Sequence, residues 1–183
     1  MSSVAAAVLA AGAGTRFGRP KAEVLVGGER LVDRAVRVAR EAGCEPVLAL
    51  VREGTSVAGA AVVVNPDPGR GQRSSLALAV AAAGPVEALA VLLVDTPGVG
   101  VEAVRDVAAA WRPGRIAVGR YGSRRGHPIV MAPALWSQAL ALAGADEGAR
   151  ALLKARPDLV DDVDVPGDPA DLDTPEDLAR WLG

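Results

Sequence analysis

VAAAVLAAGAGTRFGRPK, Val4–Lys21, decides the fold. Val4–Ala10 is apolar at every position, short, and followed by glycines, which predicts a strand buried on both faces. Gly12, Gly14 and Gly18 then free the backbone to turn tightly and to bring N–H groups close to an anion. From Leu31 the pattern changes period: Leu31, Ala35, Val38 and Ala42 recur at spacings of three and four, so Leu31–Ala42 reads as a helix stopped by Gly43. A buried strand, a Gly-rich loop and a helix together open an α/β chain.

The same alternation continues outward. Pro46–Val51 and Ala61–Val64 read as strands and Ser74–Ala83 as a helix, and Ala88–Val94 is a second wholly apolar strand ending at Asp95. Val101–Trp111 is helical, Arg115–Val118 and Pro128–Met131 return to strand, and short helices are predicted at Ala134–Leu142 and Gly148–Ala155. A strand near Val160–Val163 and a helix at Pro175–Leu182 close the chain. Thr174 is placed to cap that helix, with Pro175 at its first position and Asp177 completing a capping box. Alternating elements with apolar strands predict a three-layer α/β fold around a mainly parallel sheet.

Composition bounds the function. The 183 residues are 50% hydrophobic and 23% charged, which excludes a disordered chain. Twenty basic against 22 acidic residues give a formal charge of −2, and only 3% are aromatic. A chain so balanced lacks the basic field and stacking surface of a nucleic-acid binder. Cys44 is the one cysteine, so no intramolecular disulfide forms and a cytoplasmic location is expected; with one His as well, a Cys/His zinc cage is excluded. The apolar start lacks a basic segment before it and runs into the Gly-rich loop, so it reads as a strand and not a leader. Leu76–Val94 is broken by Gly84, Pro85 and Glu87, so no segment is expected to span a membrane.

In open α/β sheets, ligands bind beyond the carboxyl ends of the strands. The first loop carries Arg16 and Lys21, and only two of the 20 basic residues are lysines. Backbone donors with two fixed cations suit a polyphosphate. The spacing of Gly12, Gly14 and Gly18 is also a loose dinucleotide fingerprint, but Asp33 falls inside a helix and Glu53 lies too far on to hold a ribose. No GxxxxGK[ST] is present, so this is not a P-loop. Asp95, at the end of the second apolar strand, emerges at the same sheet edge. It suits a hard divalent cation, or else Asp95 or Thr96 caps the helix that follows.

LAAGAGTRFGRPK (Leu9–Lys21) resembles the signature LAAGxxxRxGxxK of the MobA-like nucleotidyltransferases, and in particular their molybdenum cofactor cytidylyltransferase branch. The resemblance runs through Asn65–Val80, Val94–Val99 (VDTPGV), Gly126-His127-Pro128, Asp146–Arg150 (DEGAR) and Asp171–Leu178 (DLDTPEDL), in that order. The chain departs from the branch at Phe17, where Met is usual, at Thr96, where Gln is common, and in the 65–72 loop, which lacks the usual Trp and Met.

The resemblance implies a Rossmann-like, GT-A-like nucleotidyltransferase domain over residues 1–183. It implies Mg²⁺ as cofactor, CTP as donor, a phosphorylated molybdopterin-type acceptor, and a recipient molybdoenzyme or chaperone as partner. Arg16 and Lys21 would be catalytic. Leu9, Ala10, Ala11, Gly12, Ala13 and Gly14 would hold the nucleotide together with Asn65, Gly71 and Ser75. Asp95 and a second carboxylate from the DLDTP stretch would hold the metal. Alternation puts Asp171 and Asp173 on one face, with Asp173 preferred and Asp171 the fallback. Arg124 and Arg125 are candidates for the acceptor phosphate. His127 is either a turn residue before Pro128 or a substrate contact; an ionised phosphate nucleophile needs no base. Two other readings stay open: a same-fold enzyme using another NTP or an acceptor such as a sugar phosphate, and a non-catalytic nucleotide-binding or chaperone module.

Overall fold

The computed structural model describes residues 4–144 and 148–182. Asp146 and Glu147 of the DEGAR stretch lie outside the described residues. Strand β1 is Val4–Leu9, and its register with its neighbours shows why its residues are small and apolar. It pairs in parallel with β4 (Val47–Val51) on one side and with β6 (Ala88–Leu93) on the other. Val4, Ala6 and Val8 face one layer of the core while Ala5, Ala7 and Leu9 face the opposite one. Both faces of the strand are covered, so the apolar run is continuous instead of alternating.

The sheet has seven strands in the order β5-β4-β1-β6-β8-β7-β9, with β5 Ala61–Val64, β7 Ile116–Tyr121, β8 Arg124–Met131 and β9 Val160–Asp164. It is parallel except at β8, which runs antiparallel to β6 and β7. Helices α1 (Leu31–Glu41) and α3 (Val101–Ala110) cover one face; α2 (Gln72–Ala82), α4 (Pro133–Leu142) and α5 (Arg150–Ala155) cover the other. A small hairpin of β2 (Leu25–Val26) and β3 (Glu29–Arg30), absent from the sequence reading, joins the first loop to α1. In α1 the buried side chains are Leu31, Val32, Val36, Val38 and Ala39; of the predicted stripe, Leu31 and Val38 are buried, while Ala35 and Ala42 pack part-buried at its edge. Helix α6 (Pro175–Leu182) closes the chain with no fully buried side chain. Its start is the expected capping box: the Asp177 N–H donates to Thr174 Oγ1, and the Thr174 N–H donates to Asp177 Oδ2.

A second segment differs from the sequence reading. Gly126-His127-Pro128 is not a turn. It lies inside β8, where Val118 pairs with Ile129 but Gly119 pairs with Gly126. His127 and Pro128 are therefore looped out of the ladder as a bulge. Pro128 has no N–H to give a partner strand, which is why the irregularity sits there.

The two apolar strands matter most for function. β1 is the strand at which the order reverses, and its carboxyl end lies beside that of β6. The loops after Leu9 and Leu93 therefore open onto one crevice. Among the described residues no helix is long and apolar enough to cross a membrane.

Candidate active site

The first loop is built on glycine. Gly14 has φ +60°, and a Cβ there would lie 2.0 Å from the Arg19 carbonyl oxygen, so only glycine fits. This close approach folds the loop back and sends Lys21 toward β6. Its ammonium lies 2.6 Å from Asp95 Oδ2 and 2.6 Å from Asp173 Oδ1. Burial alone would lower the Lys21 pKa, but the pull of Asp95 and the hydrogen bonds to Asp173 and Asp95 outweigh it and raise the value. Lys21 is therefore a fixed positive charge. Arg16 stands further out, mostly exposed, with Nη1 3.8 Å from Asp173 Oδ2.

Backbone stitches bring the two carboxylates together. The Leu172 N–H donates to the Asp95 carbonyl at 2.8 Å, and the Asp168 N–H to that of Gly98 at 3.2 Å. Gly98 admits that crossing because it has no Cβ; one would lie 2.4 Å from the Asp168 oxygen. With Leu172 buried in the core, its neighbours Asp171 and Asp173 point outward. Asp173 reaches Lys21, whereas Asp171 lines the neighbouring cleft, its pKa raised by desolvation and then by Asp95 and Asp173. Neither Asp95 nor Thr96 caps the next helix: Gly100 occupies the capping position of α3, and the Thr96 hydroxyl donates to Leu93.

A cleft of about 260 Å³ lies against this triad, walled by Ala11–Gly14 on one side and by Pro68, Gly71, Gln72 and Ser75 on the other. Leu9, Ala11, Gly12, Ala13, Gly14, Gly71 and Ser75, all named in the sequence reading, line this one cleft. Two others do not. Ala10 is buried in the core, and Asn65 is buried with its amide donating to Ser74 Oγ and Ser75 Oγ at 2.9 Å each. Asn65 also accepts from the Asp67 N–H, so it shapes the loop from behind instead of facing the cleft.

A second cleft, about 610 Å³, shares Leu9, Gln72 and Leu93 with the first. Its floor is apolar, with Val91, Ile129 and Trp136, and four cations line it: Arg124, Arg125, Arg150 and Lys154. Arg125 is engaged by Asp162, donating from Nε and Nη2 at 2.6 and 2.9 Å, while the Arg124 guanidinium makes no hydrogen bond to a described residue. His127 also lines this cleft. Its Nδ1 is buried without a partner among the described residues, and burial pushes its pKa down to about 4, with Asp95 opposing. The ring is neutral near pH 7. Trp136, Arg150 and Lys154 were not singled out from the sequence; the last two, four residues apart on one helix face, carried the legible signal.

Residues 6–161 match the MobA-like NTP transferase domain. The chain belongs to that family. Nicotine blue oxidoreductase of Paenarthrobacter nicotinovorans is 37% identical, covering 98% of this chain and 96% of that protein. A probable molybdenum cofactor guanylyltransferase of Opitutus terrae is 40% identical over 66% of this chain and 61% of its own length. Among solved structures, Rv0371c of Mycobacterium tuberculosis superposes with a TM-score of 0.86 at 26% identity, covering 99% of this chain and 98% of that one. The same protein has also been solved in complex with manganese. In this MobA-like chain, Asp95 and Asp173 fit a divalent cation by a simple test: both already share one cationic atom at 2.6 Å. Among the described residues no group of three or more acidic, His or Cys side chains converges, so remaining ligands would come from phosphate and water.

Proposed function

We propose that the protein transfers CMP from CTP to the phosphate of a molybdopterin-type cofactor and releases pyrophosphate. The observation that carries this reading is the meeting of Lys21, Asp95 and Asp173 where a loop-lined cleft joins a larger, cation-lined one. The triphosphate would lie along Ala11–Gly14, whose backbone donors need no reorganisation to receive it. The acceptor, with a planar heteroaromatic ring system and a phosphate, would take the larger cleft, its ring over the apolar floor and its phosphate near Arg124, Arg150 and Lys154. Arg125 and His127 border the same space, and His127, neutral, would contact the acceptor without acting as a base.

An oxygen of the acceptor phosphate attacks the α-phosphorus; the bond from that phosphorus to the bridging oxygen breaks, and pyrophosphate departs with the electron pair. Lys21 and Arg16 hold and neutralise the triphosphate, and the cleft walls keep attacking and leaving oxygens in line. When bound, Mg²⁺ on Asp95 and Asp173 offsets charge on the phosphate oxygens. A location in the cytoplasm and a recipient molybdoenzyme or chaperone belong to the same proposal.

A second reading follows from the Paenarthrobacter relative, which is named an oxidoreductase. One screen separates the two: pyrophosphate release from each of four NTPs with Mg²⁺ and candidate acceptors, molybdopterin first and a sugar phosphate among them, beside NAD(P)H oxidation with a reducible dye as electron acceptor. The proposal expects acceptor-dependent pyrophosphate release, greatest with CTP. Binding of NTP with no release points to a non-catalytic module, and NAD(P)H oxidation alone points to the second reading.

A further inference from the structure

Arg34 lies on α1, remote in sequence from both acidic segments, yet touches the chain behind each. Its Nε and Nη2 donate to the Pro97 carbonyl at 3.1 and 2.7 Å, two residues beyond Asp95. Its guanidinium carbon lies over the Trp181 ring, 5.9 Å from the centroid. Trp181 belongs to α6, the helix that starts just after Asp173. Arg34 makes no salt bridge to a described residue, so this half-buried cation spends its donors on a loop carbonyl and its face on an aromatic ring. An arginine serving only solubility would point into water.

We propose that Arg34 is a positioning residue for the divalent-cation site, fixing the separation of the Asp95 and Asp173 carboxylates by holding the segment that follows each. This rests on the reading that those two residues hold the cation. The stitches from Leu172 to Asp95 and from Asp168 to Gly98 secure the segment before Asp173. The helix after it is held at its start by the Thr174–Asp177 capping box and by Leu178 against the core, and its far end by Trp181. Helix α6 has no fully buried side chain, and Trp181 is itself 37% exposed, so its orientation depends on a few partial contacts. The guanidinium supplies one of them, and its planar fork grips the Asp95 loop at the same time. A cation over an indole contributes about 0.5–1 kcal/mol at an exposed site and more when partly desolvated, enough to bias a short terminal helix. Residues that orient metal ligands typically influence affinity about 10- to 100-fold.

The test is Mn²⁺ binding, read from the free-ion signal in electron paramagnetic resonance, on the full chain without nucleotide. Arg34→Ala is expected to weaken binding about tenfold. Arg34→Lys, which keeps the charge but not the fork, is expected to fall between. Arg37, also on α1, pairs at the surface with Glu29 of β3 and with Glu41, and Arg37→Ala is expected to bind as wild type does. In pyrophosphate release, excess Mg²⁺ should restore kcat to Arg34→Ala, a rescue that general loosening of the fold does not give. If Arg34→Ala does not fold, Trp181→Leu, which cuts only the α6 contact, carries the same expectation. Unchanged Mn²⁺ affinity in the folded variant, with binding abolished in Asp95→Asn, overturns the role of Arg34 alone. Wild-type protein that binds no Mn²⁺ overturns the cation reading and this proposal with it.

Discussion

The backbone N–H of Leu172 donates to the carbonyl of Asp95 at 2.8 Å. This bond joins the end of the second apolar strand to the chain's last segment, and through it Asp173 arrives beside Asp95. Lys21 then spans both carboxylates, so the loop after the first strand, the loop after β6 and the segment before α6 meet at one charge cluster.

Lys21 is expected to matter in two opposite ways. Lys21→Met should lower kcat by two or more orders of magnitude, since one preorganised electrostatic contact is worth roughly 3–4 kcal/mol in the transition state. The same variant should bind Mn²⁺ more tightly than wild type without nucleotide, because the ammonium no longer stands between the carboxylates. Titration calorimetry and steady-state kinetics on one preparation check both.

Asp95→Asn keeps the side chain's shape and removes its charge. Asp95 caps no helix, so the fold is expected to survive, with a near-normal melting curve beside undetectable pyrophosphate release. Excess EDTA should silence the wild type equally. Full activity in either case removes the cation from the mechanism.

Ala11 lines the smaller cleft, and under the proposed function its methyl would crowd a purine placed against it. The overlap costs about 1–3 kcal/mol, roughly a 5- to 150-fold preference for a pyrimidine. Wild type should favour CTP over GTP in kcat/KM, and Ala11→Gly should narrow that ratio. Equal use of both by wild type, or a ratio unmoved by the substitution, contradicts the steric account.

His127 predicts a pH dependence of stability. Burial holds its folded pKa at about 4 against an ordinary value of 6.5. Between those values the unfolded chain takes a proton that the folded chain refuses, so unfolding free energy falls as pH drops from about 6.5 toward 4 and is fully present above. His127→Asn should flatten that part of the profile in urea titrations across pH 4–7. A wild-type profile already flat there places the ring in water.

How much of this was legible follows from chain direction and side-chain type. The first loop, Lys21 and Asp95 could be found because each follows a wholly apolar strand, and parallel strands deliver their carboxyl ends to one edge. Asp173 was reachable only through a family resemblance, since the bond that brings it in comes from the backbone of Leu172, which no side chain announces. Asn65 was read as a ligand contact, yet its amide is spent on Ser74 and Ser75; a polar residue in a loop does not reveal which way it faces. Gly126 and Pro128 looked like turn residues because a bulge inside a strand uses the same residue types. Trp136 was not singled out because it lies in the core: its Nε1–H donates to the Leu89 carbonyl, while the residue also borders the larger cleft.

The central claim is tested most directly by following the α-phosphate. With α-³²P-labelled CTP, Mg²⁺ and molybdopterin, the account predicts label moving onto the acceptor with one pyrophosphate released per transfer, and no movement with Asp95→Asn. Label remaining in CTP, or appearing as free CMP whether or not acceptor is present, would contradict it.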